Sequence, residues 1–303
     1  MSQQITFWES APLTPLQKIN DPLIAAFGVE LYLKRDDLLH PQVSGNKWRK
    51  LKYNFLRAEQ LGFNKIITFG GAYSNHIAAT AAAGKALGVQ TIGIIRGNEL
   101  HSHSNPTLSL AATNGMKLIF VSREEYREKQ NLIETYGNGS YPLPEGGSND
   151  LAIKGVAEVV PEIVEQLGFR PAYLATALGT GGTFAGLCSQ TNVETRVLGF
   201  AVLKNGQYLL DDINRWIAQE QPFENVSYEI FWDFHCGGYG KITPDLQHFM
   251  SYFEQQTGIL LDPTYTAKML FWLYELIKRG GFFKVGDTIV ALHTGGLQGR
   301  KRK

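Results

Sequence analysis

Cysteine is nearly absent from this chain: Cys188 and Cys236 are the two among 303 residues, and neither belongs to a Cys-x-x-Cys pair. That excludes a disulfide framework and a zinc knuckle, and makes a reducing compartment the expectation. Charge of one sign is not in excess either. Lys and Arg number 29 against 28 Asp and Glu, for a formal net charge of +1, so composition points to no nucleic-acid partner. No run approaches the roughly 18 apolar residues of a membrane span. The start, Met1 to Glu9, lacks the basic region and apolar stretch of a secretory signal, so a cytoplasmic location is expected. Internal repeats and low-complexity tracts are also missing. The tail Arg300-Lys301-Arg302-Lys303 is basic, and is read as a solvated terminus.

What is present is glycine, 32 residues, in a chain that is 44% hydrophobic and 19% charged. This is a globular composition with many tight turns or close backbone approaches. From about residue 65, short β-rich runs alternate with helical stretches, the pattern of parallel sheets covered by helices. Strands are expected at Lys65–Phe69, Thr91–Ile95, Lys117–Val121, Tyr173–Ala177, Arg196–Val202 and Thr288–Leu292. Helices are expected at Ile77–Leu87, Pro106–Asn114, Arg123–Tyr136, Leu151–Leu167 and Tyr265–Arg279. The turn-rich stretch 137–150 reads as a link between two sheets.

Three segments fall where an α/β sheet places its ligands, at or near the carboxyl ends of strands. Gly179-Thr180-Gly181-Gly182-Thr183-Phe184-Ala185-Gly186 follows an apolar strand and opens a helix, so its amides and two threonine hydroxyls suit a phosphate. It is not a dinucleotide fingerprint, which would need glycine where Phe184 stands, and Gly84-Lys85-Ala86 is not a P-loop. A phosphate without a nucleotide fits better. The second segment is Gly70-Gly71-Ala72-Tyr73-Ser74-Asn75-His76. Ser74 and Asn75 can cap the following helix or meet a ligand carboxylate or ring oxygen, and Ala72 and His76 disfavour a hydrolase nucleophile elbow. The third runs from Lys34-Arg35-Asp36-Asp37 to Ser44-Gly45-Asn46-Lys47-Trp48-Arg49-Lys50. Desolvation and nearby cations would make Lys47 nucleophilic toward carbonyls. A nucleophilic lysine beside a phosphate cradle suggests pyridoxal 5'-phosphate.

With Leu261-Asp262-Pro263-Thr264-Tyr265-Thr266 and His293-Thr294-Gly295-Gly296 added, these motifs in this order resemble the tryptophan-synthase-like, fold type II pyridoxal phosphate enzymes. Within them the match is to the 1-aminocyclopropane-1-carboxylate deaminase and D-cysteine desulfhydrase group. The resemblance implies an α/β fold of two open parallel-sheet domains. The division expected is a larger cofactor-binding domain of residues 1–50 and 151–303 and a smaller one of residues 51–150. It also implies that Lys47 forms the Schiff base, while Lys50, Thr180, Gly181, Gly182 and Thr183 hold the phosphate. Asn75 would bond the phenolic oxygen. Ser74, Asn75, His76, Tyr239 and Tyr265 would meet the substrate, with Lys47, Ser74, Tyr239 and Tyr265 catalytic and Thr294 beside the ring. Relatives of this kind are commonly homodimers.

The group divides at two positions. Ring-opening deaminases carry glutamate after the tyrosine matching Tyr265 and leucine before the glycine pair; here Thr266 and Thr294 stand there. A glutamate near the pyridine nitrogen would keep it protonated, whereas a hydroxyl shares a neutral hydrogen bond. Eliminating sulfide needs the weaker assistance. The resemblance therefore implies cleavage of a small amino acid to pyruvate, ammonia and sulfide, with Lys47 taking the α-proton. Alternatives are a 1-aminocyclopropane-1-carboxylate deaminase, another amino-acid eliminase or racemase, and a non-catalytic pyridoxal phosphate-binding protein. No metal is expected: His101-Ser102-His103 has no thiolate or carboxylate beside it and reads as a solvent loop. Asp36-Asp37, after a basic pair, reads as a strand-end ion-pair cluster.

Overall fold

The computed structural model describes residues 3–220 and 225–300. Met1 and Ser2 at the start and Lys301 to Lys303 of the basic tail lie outside the described residues. Six strands, β1 (Leu16–Lys18), β2 (Glu30–Lys34), β7 (Tyr173–Leu178), β8 (Arg196–Ala201), β9 (Tyr228–Phe231) and β10 (Thr288–Leu292), pair in the order β1-β2-β10-β7-β8-β9. Four more, β3 (Lys65–Gly71), β4 (Gln90–Arg96), β5 (Lys117–Val121) and β6 (Tyr141–Leu143), pair as β5-β4-β3-β6. Only β1 with β2 is antiparallel among the described strands. β10 is buried throughout, and β3 and β4 over all but their end residues. Strands covered on both faces have no polar side to show, which is why they read as unbroken apolar runs.

The helices are α1 (Gln3–Glu9), α2 (Pro22–Ala25), α3 (Asn46–Gln60), α4 (Asn75–Leu87), α5 (Pro106–Thr113), α6 (Lys129–Tyr136), α7 (Asp150–Ala157), α8 (Val159–Leu167), α9 (Gly182–Cys188), α10 (Leu210–Glu220), α11 (Pro244–Thr257) and α12 (Thr266–Arg279). No described helix is long and apolar enough to cross a membrane. Three stretches depart from expectation. The segment 123–136 opens with a 3-10 turn, Glu125–Arg127, and becomes α-helical only at Lys129. The segment 151–167 is two helices meeting at Glu158, because Pro161 has no N–H to continue the ladder across the junction. The link 137–150 contains β6, an edge strand where Pro142 is tolerated.

α3 carries the site's two lysines, and its sequence explains its pose. Trp48, Leu51, Phe55 and Ala58 recur at helical spacing and are buried against α1 and α4 in one apolar cluster. Lys47 and Lys50, three apart, therefore share a different face. The start of α3 is pinned by ions. Arg49 donates to Asp36 at 2.7 and 2.9 Å and to Glu162 at 2.7 and 2.8 Å, and Lys34 pairs with Glu162 at 2.9 Å. Asp37 takes Arg35 at 2.9 and 2.8 Å. The acidic pair is thus a buried structural cluster, as its sequence suggested. Gly45, at φ 63°, precedes the helix where an added Cβ would lie 1.9 Å from the Thr294 carbonyl oxygen. Only glycine lets these two backbones touch.

Candidate active site

The ends of β3, β4, β7 and β10 open on one cavity of about 550 Å³, the crevice position expected for an α/β sheet. On its α3 wall, Lys47 Nζ donates to the Gly146 carbonyl at 3.1 Å. Lys50 Nζ donates to Ser148 Oγ at 2.9 Å and more distantly to the same carbonyl at 3.4 Å. Burial lowers the Lys47 pKa to about 8. Burial and then the charge of Lys47 push Lys50 well below the ordinary lysine value. Around Lys50 stand hydroxyls: Ser148 Oγ and Thr180 Oγ1 share a hydrogen bond of 2.7 Å, and Asn46 Nδ2 donates to Thr183 Oγ1 at 2.6 Å.

The second wall is the start of α4. Ser74 both caps the helix, accepting from the Ile77 amide at 3.3 Å, and lines the cavity. Asn75 Oδ1 accepts from Gln298 Nε2 at 2.7 Å, which leaves the Asn75 amide hydrogens free. His76 is fully buried. Its Nε2 lies 2.7 Å from Thr68 Oγ1, whose own hydrogen goes to the Leu143 carbonyl at 2.9 Å, so Nε2 is the donor. Nδ1 is then an acceptor without a partner. Burial, then Lys47 and Lys50, hold the ring pKa well below its ordinary value, so His76 is neutral.

Two tyrosines form the third wall. Tyr265, just before α12, donates to Tyr239 across 3.2 Å, and burial raises both phenol pKa values. Tyr239 is 40% exposed and faces the mouth. Behind them, Thr266 Oγ1 and Thr294 Oγ1 lie 3.4 Å apart, both buried. Asp262, four residues before Thr266, is committed to backbone amides of Thr264, Tyr265 and Thr266 at 3.0, 2.7 and 2.8 Å.

The cavity thus brings together Lys47, Lys50, Ser74, Asn75, His76, Thr180, Gly181, Thr183, Tyr239, Tyr265 and Thr294. Gly182 sits directly behind the lining, against Ser148 and Lys50. Sequence reasoning singled out neither Gly146 and Ser148, which receive the two lysines, nor Gln298, which orients Asn75. Gly-Gly-Ser in a turn-rich stretch was their one signal, and it reads equally well as a linker. His101 and His103 are exposed, and no group of His, Cys, Asp and Glu among the described residues could hold a metal ion.

A family profile described as "Pyridoxal-phosphate dependent enzyme" matches residues 8–295. The chain is 31% identical, over 94% of its length and 77% of the relative's, to an Arabidopsis thaliana protein named bifunctional D-cysteine desulfhydrase/1-aminocyclopropane-1-carboxylate deaminase, mitochondrial. It is also 31% identical to a Klebsiella pneumoniae protein named D-cysteine desulfhydrase, over 94% of this chain and 91% of that one. A solved structure of an ACC deaminase homologue superposes with a TM-score of 0.82 at 27% identity, covering 99% of this chain and 96% of that one.

Proposed function

Since the chain belongs to the family of pyridoxal-phosphate dependent enzymes, we propose that it catalyses α,β-elimination from a small cysteine-like amino acid, with D-cysteine giving pyruvate, ammonia and sulfide. One observation carries this choice of branch: the buried Thr266 and Thr294 hydroxyls, 3.4 Å apart, with no uncommitted carboxylate beside them among the described residues. A hydroxyl pair would offer a pyridine nitrogen neutral hydrogen bonding only, which would suffice to expel a thiolate but would give weak support for opening a cyclopropane.

The family's cofactor is pyridoxal phosphate, and the residues present fit it. Lys47 and Lys50 place positive charge in a buried site where neither contacts a carboxylate among the described residues, so an anion is the missing counter-charge. A Cβ at Gly182 would stand 2.7 Å from Ser148 Oγ and 3.0 Å from Lys50 Nζ, so the glycine keeps this cradle open. Lys50 with Thr180, Gly181, Gly182 and Thr183 would hold the phosphate, and the free amide of Asn75, set by Gln298, would donate to the phenolic oxygen. When bound, the cofactor supplies an aldehyde that joins amines and a ring that delocalises charge from the substrate's α-carbon.

Lys47 carries the chemistry among the protein's own groups. Its amine, desolvated to a pKa of about 8, is partly neutral near physiological pH and is suited to hold the cofactor and then to remove the α-proton. Ser74, at the start of α4, faces the substrate carboxylate. Tyr265 and Tyr239 are kept as neutral phenols, and since Tyr265 donates to Tyr239, it is the Tyr239 hydrogen that is left to orient the substrate. The neutral His76, within reach of the field of both lysines, adds no third positive charge. In the same reading the chain is a cytoplasmic homodimer. Its larger domain is residues 1–50 and 151–303 and its smaller one 51–150, a division supported by how the strands sort into two sheets.

The test is to incubate purified holoenzyme with D-cysteine, L-cysteine, D-serine and 1-aminocyclopropane-1-carboxylate while following keto acid and sulfide. Equal yields of the two from D-cysteine are expected. Keto acid from the cyclopropane compound alone would overturn the choice in favour of a ring-opening deaminase.

A further inference from the structure

Charge at the rim of the cavity does not balance. Arg215 pairs with Asp212 at 2.7 Å, and Glu145 pairs with Lys129 at 3.3 Å. Arg96, the last residue of β4, lines the same cavity, is exposed, and has no carboxylate within ion-pairing distance among the described residues. Its guanidinium is nonetheless directed. It lies over the ring of Tyr126, 5.5 Å from the centroid, and that ring is buried edge-on against Phe69. Lys129 covers the same ring at 3.0 Å, but Glu145 answers its charge. The positive charge left over is that of Arg96, presented by a rigid aromatic platform.

The neighbours say which part of a ligand this charge would meet. Arg96 is in register with Gly71, and a Cβ on Gly71 would stand 3.7 Å from its Nη2. The guanidinium therefore borders the Gly71–Ser74 turn and, exposed where Ser74 is half-buried, stands on the solvent side of a cavity that Tyr239 and Glu145 also line. With Ser74 and the start of α4 serving the α-carboxylate, Arg96 is placed for a second acidic group, farther from the α-carbon. We propose that Arg96 is a specificity-determining residue that pairs bidentately with a carboxylate ending the β-substituent, so that acid-terminated thioethers of cysteine are preferred to cysteine itself. The proposal rests on the elimination reading and names its leaving-group class.

For S-carboxymethylcysteine the reaction balances with water alone. The Cα–H and Cβ–S bonds break, the electron pair leaves with sulfur, which takes up a proton, and water supplies the keto oxygen. The products are mercaptoacetate, pyruvate and ammonia.

The experiment compares kcat/KM for cysteine and S-carboxymethylcysteine, each as D and L forms, in the wild-type, R96Q and R96K holoenzymes. Alongside it, calorimetry on the same proteins measures the Kd of glutarate, a dicarboxylate that cannot undergo elimination, against that of butyrate. Wild-type enzyme is expected to favour the carboxymethyl compound. R96Q should lower its kcat/KM about tenfold or more beyond any change for cysteine, and weaken glutarate but not butyrate by a similar factor. R96K, which keeps charge without the fork, should fall between. If R96Q slows both amino acids alike, the guanidinium serves the α-carboxylate and the proposal is overturned while the elimination reading stands. If no amino acid yields keto acid yet R96Q still weakens glutarate selectively, the elimination reading fails and the acid-binding role stands.

Discussion

Tyr265 gives its phenolic hydrogen to the oxygen of Tyr239 across 3.2 Å, with the two rings edge to face at 6.0 Å. Burial raises both pKa values, so the pair keeps both hydrogens in the neutral range and has one left to give, that of Tyr239 at the mouth. Tyr265→Phe removes the inner donor and releases Tyr239. It should lower kcat/KM by about 10²-fold, against about tenfold for Tyr239→Phe. Neither tyrosine should contribute a limb to the pH profile below 10.0, the ordinary phenol value. Tyrosinate absorbance appearing near pH 8 and lost in Tyr265→Phe would contradict the neutral assignment.

The Lys47 amine makes a prediction of opposite kind, because burial disfavours its charged form and brings its deprotonation down to about pH 8. Only the neutral amine attacks an aldehyde. The rate at which apoprotein takes up pyridoxal phosphate covalently should therefore rise about tenfold per pH unit and level off near pH 8. Stopped-flow absorbance measures it. A rise continuing to the ordinary lysine value of 10.5 would mean that the amine is solvated. Lys47→Ala should leave no peptide labelled after borohydride reduction and digestion.

How much of this the sequence disclosed follows from where its signals are local. β3, β4 and β10 were legible because both faces are buried and glycine turns punctuate them, and α4 because an alanine-rich run ends at Gly88, which takes the left-handed conformation. β1 is three residues and β9 is half-buried throughout, so neither shows a run or a clean alternation. α3 is hard to recognise as a helix because its basic residues dominate the local composition, although Trp48, Leu51, Phe55 and Ala58 keep the period. The phosphate cradle was half visible. Thr180 to Thr183 announce themselves by glycine spacing, but Ser148 meets Lys50 across 98 positions of chain, a contact that no local pattern encodes. Arg96 was hidden likewise, as a polar residue ending an apolar strand.

Lys50 should trade stability for cofactor affinity. Its ammonium is buried with, among the described residues, only a hydroxyl and a carbonyl as partners, and its folded pKa lies well below 10.5. In apoprotein below the folded pKa, lysine is charged in both states and the fold bears the full desolvation cost. As pH rises through the folded value toward 10.5, the unfolded chain holds more protons and stability increases. Lys50→Met removes this cost. Apo Lys50→Met should be more stable to urea by about 1 kcal/mol at neutral pH, with a flatter dependence above it. The same variant should bind pyridoxal phosphate at least about tenfold more weakly, having lost the phosphate's charged partner. A variant less stable than wild type as apoprotein would show that Ser148 and Gly146 already repay the burial of the charge.

Lys268 is buried on α12, where its Nζ donates to the Gly238 carbonyl at 2.7 Å and the His235 carbonyl at 3.0 Å. The loop it ties down takes positive φ at Cys236, Gly237, Gly238 and Gly240, at 51°, 84°, 117° and 70°. Such backbone has little preference of its own for one shape, so the two charge-assisted bonds supply it. Tyr239 rides on this loop, whereas the lysines and the Gly179–Thr183 turn do not. Lys268→Met, close in volume and without a donor, should free the loop and raise KM for the amino acid several-fold. Affinity for pyridoxal phosphate should stay within twofold or so of wild type, since no cofactor-holding residue depends on the loop. Equal losses of cofactor and substrate affinity would instead mark Lys268 as a support for the whole sheet edge, and Tyr239 would then need another tether.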